Sequence, residues 1–263
     1  MDKKEIIRTL KKIHHKCSII MPLILLGKII LWLPAYIRYN FNYFTVAKKL
    51  ANNRFLIKWY QRWPCLFDAT GFTDFDHQYV YHTSWAARVI AELKPEYHTD
   101  ISSSLYFAGI ASATTPIRFY DYRPADLKLP GLYCGKADIT NLPFEDNSLP
   151  SLSCMHVMEH IGLGRYGDPF DHLGDLKGIA ELKRVLVYGG HLVFVVPIGG
   201  VARLYFNAHR IYTFAQIKEY FAGFELKEFS FITDSGDFVE HACEDDVKDQ
   251  VYGCGCFLFQ KIR

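Results

Sequence analysis

The chain has 263 residues, half of them hydrophobic, and its Lys and Arg nearly balance Asp and Glu at a net charge of +2. That is enough apolar chain for one large domain plus an appendage. Seven cysteines, an odd number without repeated C-x-x-C spacing, argue against structural zinc and for reduced, buried thiols in a cytosolic protein.

The near-zero net charge hides an asymmetry. Residues 1–62 hold 13 Lys or Arg against two acids, Asp2 and Glu5, a net of +11, and the remainder carries −9. Opposite charge on two regions implies different partners for each. The chain therefore divides into a basic, apolar, helical region over 1–62 and a main domain over 63–263, with Trp63-Pro64 at the boundary. Ile6, Ile7, Leu10 and Ile13 recur at helical spacing among the lysines of residues 1–16. Cys17 to Pro34 is strongly apolar, but Pro22, Gly27 and Lys28 interrupt it, so each uncharged piece is short of the roughly 20 residues that a spanning helix needs. Peripheral contact with the cytoplasmic face of a membrane through residues 1–60 fits this pattern, with lysines on anionic headgroups. A helical hairpin packed on the main domain fits it too. No nucleic-acid-binding module is recognisable, so no nucleic acid is expected as partner.

Residues 65–76 read as a loop. His82–Leu93 reads as a helix, capped by Thr83 or Ser84 and stopped by Pro95. From there strands and helices alternate, the pattern of a mostly parallel sheet covered on both faces. Strands are predicted at Tyr97–Ile101, Ile117–Asp121, Tyr133–Ala137, Ser151–His156, His191–Pro197, Glu225–Ile232 and Gly255–Lys261. Helices are predicted near Ser104–Ala113, Leu173–Val187 and Phe214–Phe221. The last two strands follow one another without a helix and are expected to form an antiparallel pair. Cys254 and Cys256, on the final strand, are expected on opposite faces. The chain shows no internal repeat and no low-complexity tract.

The first strand ends at Asp100 and runs into Ser102-Ser103-Ser104, a turn of small residues that opens a helix. Asp121 follows at the end of the next strand. A small-residue turn with an acid about 20 residues on is the outline of a nucleoside-binding βαβ unit, in which the acid holds the ribose hydroxyls. The turn lacks the glycines of a pyrophosphate-binding G-x-G-x-x-G, which weakens a dinucleotide reading. It leaves open a nucleoside ligand without phosphate, such as S-adenosyl-L-methionine. An ordinary strand-turn-helix remains the alternative. No nucleophile elbow is present. No zinc motif appears either, and no metal is expected, although His156, His160 and His209 could in principle approach one another.

Three blocks sharpen the reading. Asp138-Ile139-Thr140-Asn141-Leu142-Pro143-Phe144 resembles the segment after the third strand of class I methyltransferases. Met158-Glu159-His160-Ile161 resembles their segment after the fourth strand. Glu181 to Leu186 with Gly189-Gly190 resembles the helix and turn before the fifth. The runs Asp121-Tyr122-Arg123-Pro124, Glu159 to Pro169 and Phe206-Asn207-Ala208-His209-Arg210 are similar to the domain-of-unknown-function 268 family, over roughly Pro64 to Asp234. The resemblance implies a doubly wound, seven-stranded, mostly parallel α/β sheet of the class I methyltransferase type, to which the pattern of residues 1–62 adds an N-terminal helical extension expected to contact a membrane. It implies S-adenosyl-L-methionine as cofactor and, from the family's bacterial members, a surface-glycan or lipid-linked sugar acceptor. The alternative is a catalytically degenerate scaffold or binding module of the same fold in a glycan-assembly complex.

The cofactor-binding residues expected on this basis are Asp100, Ser102, Ser103, Ser104, Asp121, Asp138, Ile139 and His156. Asp100 and the serine turn are expected at the amino-acid end of the cofactor, Asp121 at the ribose, and Asp138 with Ile139 at the adenine. His160 is the expected base, because an imidazole titrates near neutrality. Glu159 and Asp168 join it as catalytic candidates, with a structural His160–carboxylate bond and an Arg165–Asp168 pair as the plainer readings. Arg165, Tyr166, Asn207, His209 and Arg210 are the expected acceptor-binding residues, with an ion pair to Glu219 as the alternative for Arg210.

Overall fold

A computed structural model describes residues 21–50, 55 and 57–262. Two compact units divide between Asp74 and Phe75. In the first, helix α1 spans Met21–Leu50 and runs unbroken through Pro34. Among its side chains Ile29, Ile30, Leu33, Ile37, Phe41 and Phe44 stand exposed. The segment after it folds back on its C-terminal half. Trp59 stacks on Phe44 with ring centres 5.1 Å apart, and Arg62 lies over the Trp59 ring and donates to Asn40. Among the described residues no helix is long and apolar enough to cross a membrane. The basic helix expected over residues 1–16 and the start of the apolar stretch at Cys17 lie outside the described residues.

The second unit opens with α2, His77–Leu93. It begins five residues before the expected start, because Asp76 caps it by accepting Tyr79 N–H at 3.0 Å. Thr83, an expected cap, instead donates back to the Tyr79 carbonyl inside the helix. Strands and helices then alternate: β1 (His98–Ile101), α3 (Leu105–Ala111), β2 (Ile117–Asp121), β3 (Leu132–Lys136), β4 (Leu149–Met155), α4 (Gly174–Val185) and β5 (Leu186–Ile198). A two-stranded hairpin of β6 (Arg203–Tyr205) and β7 (His209–Ile211) follows. After it come α5 (Phe214–Tyr220), β8 (Phe224–Ile232), β9 (Phe238–Val239), α6 (Glu244–Val247) and β10 (Gly253–Lys261).

The main sheet has the order β3-β2-β1-β4-β5-β10-β8-β9. β1 to β5 run parallel, and β10 is antiparallel to both β5 and β8. This is the class I methyltransferase-like sheet expected from the sequence, with the two-residue β9 added at one edge. The last two long strands are not joined directly, since β9 and α6 intervene. The β6–β7 hairpin was not expected either; three-residue strands carry too little periodicity to read.

β5 and β10 are covered on both faces and read as near-continuous apolar runs. On one face Phe194, Phe229, Phe257 and Phe259 form the larger core. On the other, Val193, Val195, Cys254 and Cys256 pack under Trp85, Val89 and Ile90 of α2. Cys254 and Cys256 thus share a face, contrary to expectation, because side chains two apart on a strand point the same way.

Candidate functional site

Chain order reverses direction across the sheet between β1 and β4, and in open α/β sheets the crevice at such a switch point, outside the carboxyl ends of the strands, receives the ligand. A cavity of about 400 Å³ opens there, within the range of small-molecule sites. The turn after β1, Asp121 at the end of β2, Ala137 to Thr140 after β3 and Met155 to Val157 after β4 line it. Tyr79, Tyr122, Arg123, His160 and Tyr166 complete the wall.

The side of the cavity at the ends of β1, β2 and β3 is built from turns that close on themselves. Ser102 sits at φ 57°, in the left-handed region, and its N–H donates to Tyr120 O at 2.7 Å. The tight turn is therefore made with a serine where a glycine would be cheaper, at a cost of roughly 1–2 kcal/mol. Ser103 Oγ accepts the Met155 N–H at 3.0 Å and so ties the turn to the end of β4. Ser104 precedes α3 and lines the cavity without making a side-chain cap.

Asp121 Oδ1 accepts Arg123 N–H at 2.7 Å. Asp138 Oδ1 accepts from Thr140 N at 2.9 Å and Thr140 Oγ1 at 2.7 Å, which is the turn-capping role. Both acids line the cavity, as does the largely buried Ile139.

Asp100 does not line the cavity. It is sealed at 0% exposure, where it accepts the Ser103 N–H at 3.0 Å and the Ser153 hydroxyl. Burial pushes its pKa up to about 6 against those hydrogen bonds. Behind it, Ser153 and Ser151 bracket the buried ring of His98 at 2.8 and 2.7 Å. Burial lowers the His98 pKa to about 3, so the ring is neutral. Ser153 donates to Asp100, so it must accept from His98 Nε2–H, which leaves Nδ1 to accept from Ser151. Asp100 is thus a brace under the turn, where a contact with the cofactor was expected.

The side formed by the loop after β4 and the β6–β7 hairpin is held by longer connections. His160 Nδ1 donates to Ala208 O at 2.6 Å, which leaves Nε2 as the basic nitrogen, 3.7 Å from Glu159 Oε1. Burial lowers the His160 pKa and outweighs the opposing pull of Glu159. Arg165 also donates to Ala208 O, at 3.0 Å, and the expected Arg165–Asp168 pair is not among the contacts of the described residues. Asp168 instead holds the glycine-rich loop by accepting Gly162 N–H at 2.7 Å and Tyr166 N–H at 3.2 Å. Gly162 has φ 77°, and a Cβ there would fall 2.0 Å from Asp171 O, so only glycine fits. Tyr166 lines the cavity, with Arg123 over its ring at 4.9 Å.

Four of the expected acceptor residues, Arg165, Asn207, His209 and Arg210, stand apart from the cavity wall. Asn207 occupies the β6–β7 turn at φ 55°. His209 packs its ring on Tyr252 with centres 4.9 Å apart. Arg210 is engaged with Ile161 O at 2.7 Å and Asp175 at 3.4 Å, not with Glu219. Arg165 is likewise turned to backbone. Glu159 is 1% exposed and lies behind the wall, bonded to His156 Nδ1 at 2.8 Å. His156 lines the cavity, but its other nitrogen faces Cys254 Sγ at 3.2 Å. Burial disfavours charge on His156, yet Cys254 and Glu159 prevail and raise its pKa well above the ordinary value. Tyr79, Tyr122 and Arg123 were missed as wall residues. The run Asp121-Tyr122-Arg123-Pro124 could have pointed to Tyr122 and Arg123; nothing local marks Tyr79.

Residues 146–248 match the family model described as Caenorhabditis protein of unknown function, DUF268. Over those residues the chain is DUF268-like. The matched segment contains the His156–Pro169 turn and loop, which line the cavity, and the β6–β7 hairpin; the serine turn, Asp121 and Asp138 precede it. No curated protein matches the chain.

Solved structures resemble it at low identity. A methyltransferase of Thermotoga maritima that uses S-adenosylmethionine, described as a possible histamine N-methyltransferase, is 16% identical over 69% of this chain and 90% of its own, with a TM-score of 0.45. The YcgJ protein of Bacillus subtilis is 12% identical over 70% of this chain and 99% of its own, with a TM-score of 0.47. An S-adenosylmethionine-dependent methyltransferase of Methanosarcina mazei is 15% identical over 66% of this chain and 97% of its own, with a TM-score of 0.41.

Proposed function

We propose that the chain is an S-adenosyl-L-methionine-dependent methyltransferase. The observation that carries this is the convergence of the serine turn, Asp121 and the Asp138–Ile139 turn on one hollow at the switch point of the sheet. The donor set suits a nucleoside: a carboxylate for the ribose hydroxyls at Asp121, an apolar wall with an adjacent acid for the adenine at Ile139 and Asp138, and backbone polar groups of Ser102 to Ser104 for the amino-acid end. When bound, the cofactor supplies a methyl group made electrophilic by its sulfonium.

The residues of the chain then align and deprotonate the acceptor. His160 Nε2 takes the proton of an acceptor hydroxyl, since its other nitrogen is committed to Ala208 O. Tyr166 and Arg123 on the cavity wall exclude water, and holding the two reactants in line supplies most of the remaining rate. A surface-glycan or lipid-linked sugar is the acceptor we favour. Peripheral attachment to the cytoplasmic face of a membrane through residues 1–60 would bring such an acceptor within reach. The exposed apolar side chains of α1 support that attachment.

Titration calorimetry with S-adenosylmethionine and with its demethylated product tests the reading. Saturable heat with both is expected. No heat with either at millimolar ligand would contradict the reading and favour the degenerate scaffold.

A further inference from the structure

Behind the cavity wall lies a cluster of side chains that the proposed transfer does not use. His82 on α2, His156 at the end of β4 and Cys254 at the start of β10 each offer one ring nitrogen or sulfur, and these atoms lie within 4.8 Å of one another. His82 is 1% exposed and Cys254 0%.

Hydrogen bonds decide which atoms face inward. His82 Nδ1 is 2.7 Å from Gln78 O. A carbonyl only accepts, so Nδ1 carries the proton and Nε2 carries a lone pair. That Nε2 is buried and has no hydrogen-bond partner, a condition that costs roughly 1–3 kcal/mol. His156 Nδ1 is held by Glu159 Oε1 at 2.8 Å, which turns Nε2 toward Cys254 Sγ. Glu159 Oε2 is a second buried atom without a partner.

Two imidazole nitrogens and a sulfur form a donor set suited to zinc. A carboxylate on the far nitrogen of a ligating histidine is the usual outer support of such a site. We propose that His82 Nε2, His156 Nε2 and Cys254 Sγ bind one zinc-class divalent ion, with Glu159 orienting His156. Atoms balance: a coordinating sulfur is a thiolate, so binding releases the Cys254 thiol proton, with any proton on His156 Nε2, to solvent. A tetrahedral ion would keep one further position for water or another donor. The site would pin α2 to the sheet. Tyr79, also on α2, stacks on His156 at 5.5 Å and lines the cavity, so the ion would fix that wall.

The test uses the full chain without an affinity tag, purified without chelator, and reads metal by mass spectrometry and X-ray absorption. Stoichiometric zinc is expected, with one sulfur at about 2.3 Å and two nitrogens at about 2.0–2.1 Å. Chelator-treated wild-type protein given Co²⁺ should show a sulfur-to-cobalt charge-transfer band, which Cys254→Ser abolishes, and added Zn²⁺ should raise its melting temperature. Wild-type protein that is folded by circular dichroism, yet takes up neither ion and shows no such band, overturns the proposal. So does a cobalt band that survives in Cys254→Ser. None of these readouts depends on cofactor binding or methyl transfer.

Discussion

The two sides of the cavity hold the side chains on their walls differently. On the side of the serine turn, Asp121 and Asp138 bond within their own turns, to Arg123 and Thr140, each spanning two residues, while Ser103 and Asp100 beneath them tie the turn to Met155 and Ser153 on β4. On the side of the His156–Pro169 loop, the functional groups themselves reach across the chain: His160 to Ala208 spans 48 residues, Arg210 to Ile161 spans 49, and His156 to Cys254 spans 98. Local turns can present a carboxylate to a ligand and change at little cost to the fold. Long-range bonds hold separate elements together, so the same residue types there act first as scaffold.

The sharpest way to break this comparison is Arg210→Ala. Arg210 lies against Asp175, which also accepts the buried Tyr212 hydroxyl at 2.9 Å. Removing the cation strands a buried carboxylate, and about 3–5 kcal/mol of stability should be lost in urea unfolding. A change near zero would rule out this structural role for Arg210.

His160→Gln comes next. It should lower kcat by about 10²–10⁴ while cofactor affinity holds. The base acts in its neutral form, and burial lowers its pKa. The acid limb of the wild-type rate profile should therefore fall below the ordinary histidine value of about 6.5, and the limb should vanish in the variant. A limb at or above that value would point to another base.

Asp121→Ala should leave the unfolding midpoint nearly unchanged, because its bond is a single turn contact. It should weaken cofactor binding by roughly 2 kcal/mol or more, the worth of hydrogen bonds to a charged group. Unchanged affinity in calorimetry would remove the ribose assignment. Ser102→Gly should have the smallest effect. It relieves the left-handed strain at φ 57° and is expected to raise stability by no more than about 1 kcal/mol, with binding retained. A loss of binding would mean that the serine side chain itself contacts the ligand.

The same contrast explains what could be read from the sequence. Asp121, Asp138 and the serine turn announce themselves because strand ends and short turns are local patterns, and the alternation of strands and helices carried the sheet. Asp100 looked identical to them, but its burial depends on His98, Ser151 and Ser153 from two strands, which no local pattern displays. Arg210 read as an acceptor-binding cation, or one paired with Glu219, because Asp175 and Ile161 lie far from it in sequence. Asp76 was passed over as a cap because it sits in a loop rich in acids. The His82–His156–Cys254 cluster has separations of 74 and 98 residues, so only the fold brings it together.

The most direct measurement is a structure of the full chain bound to S-adenosylhomocysteine, the demethylated cofactor. The account predicts the ribose against Asp121, the adenine against Ile139 beside Asp138, and the sulfur turned toward His160. A ligand seated elsewhere, or a cavity that stays empty at saturating concentration, would contradict it.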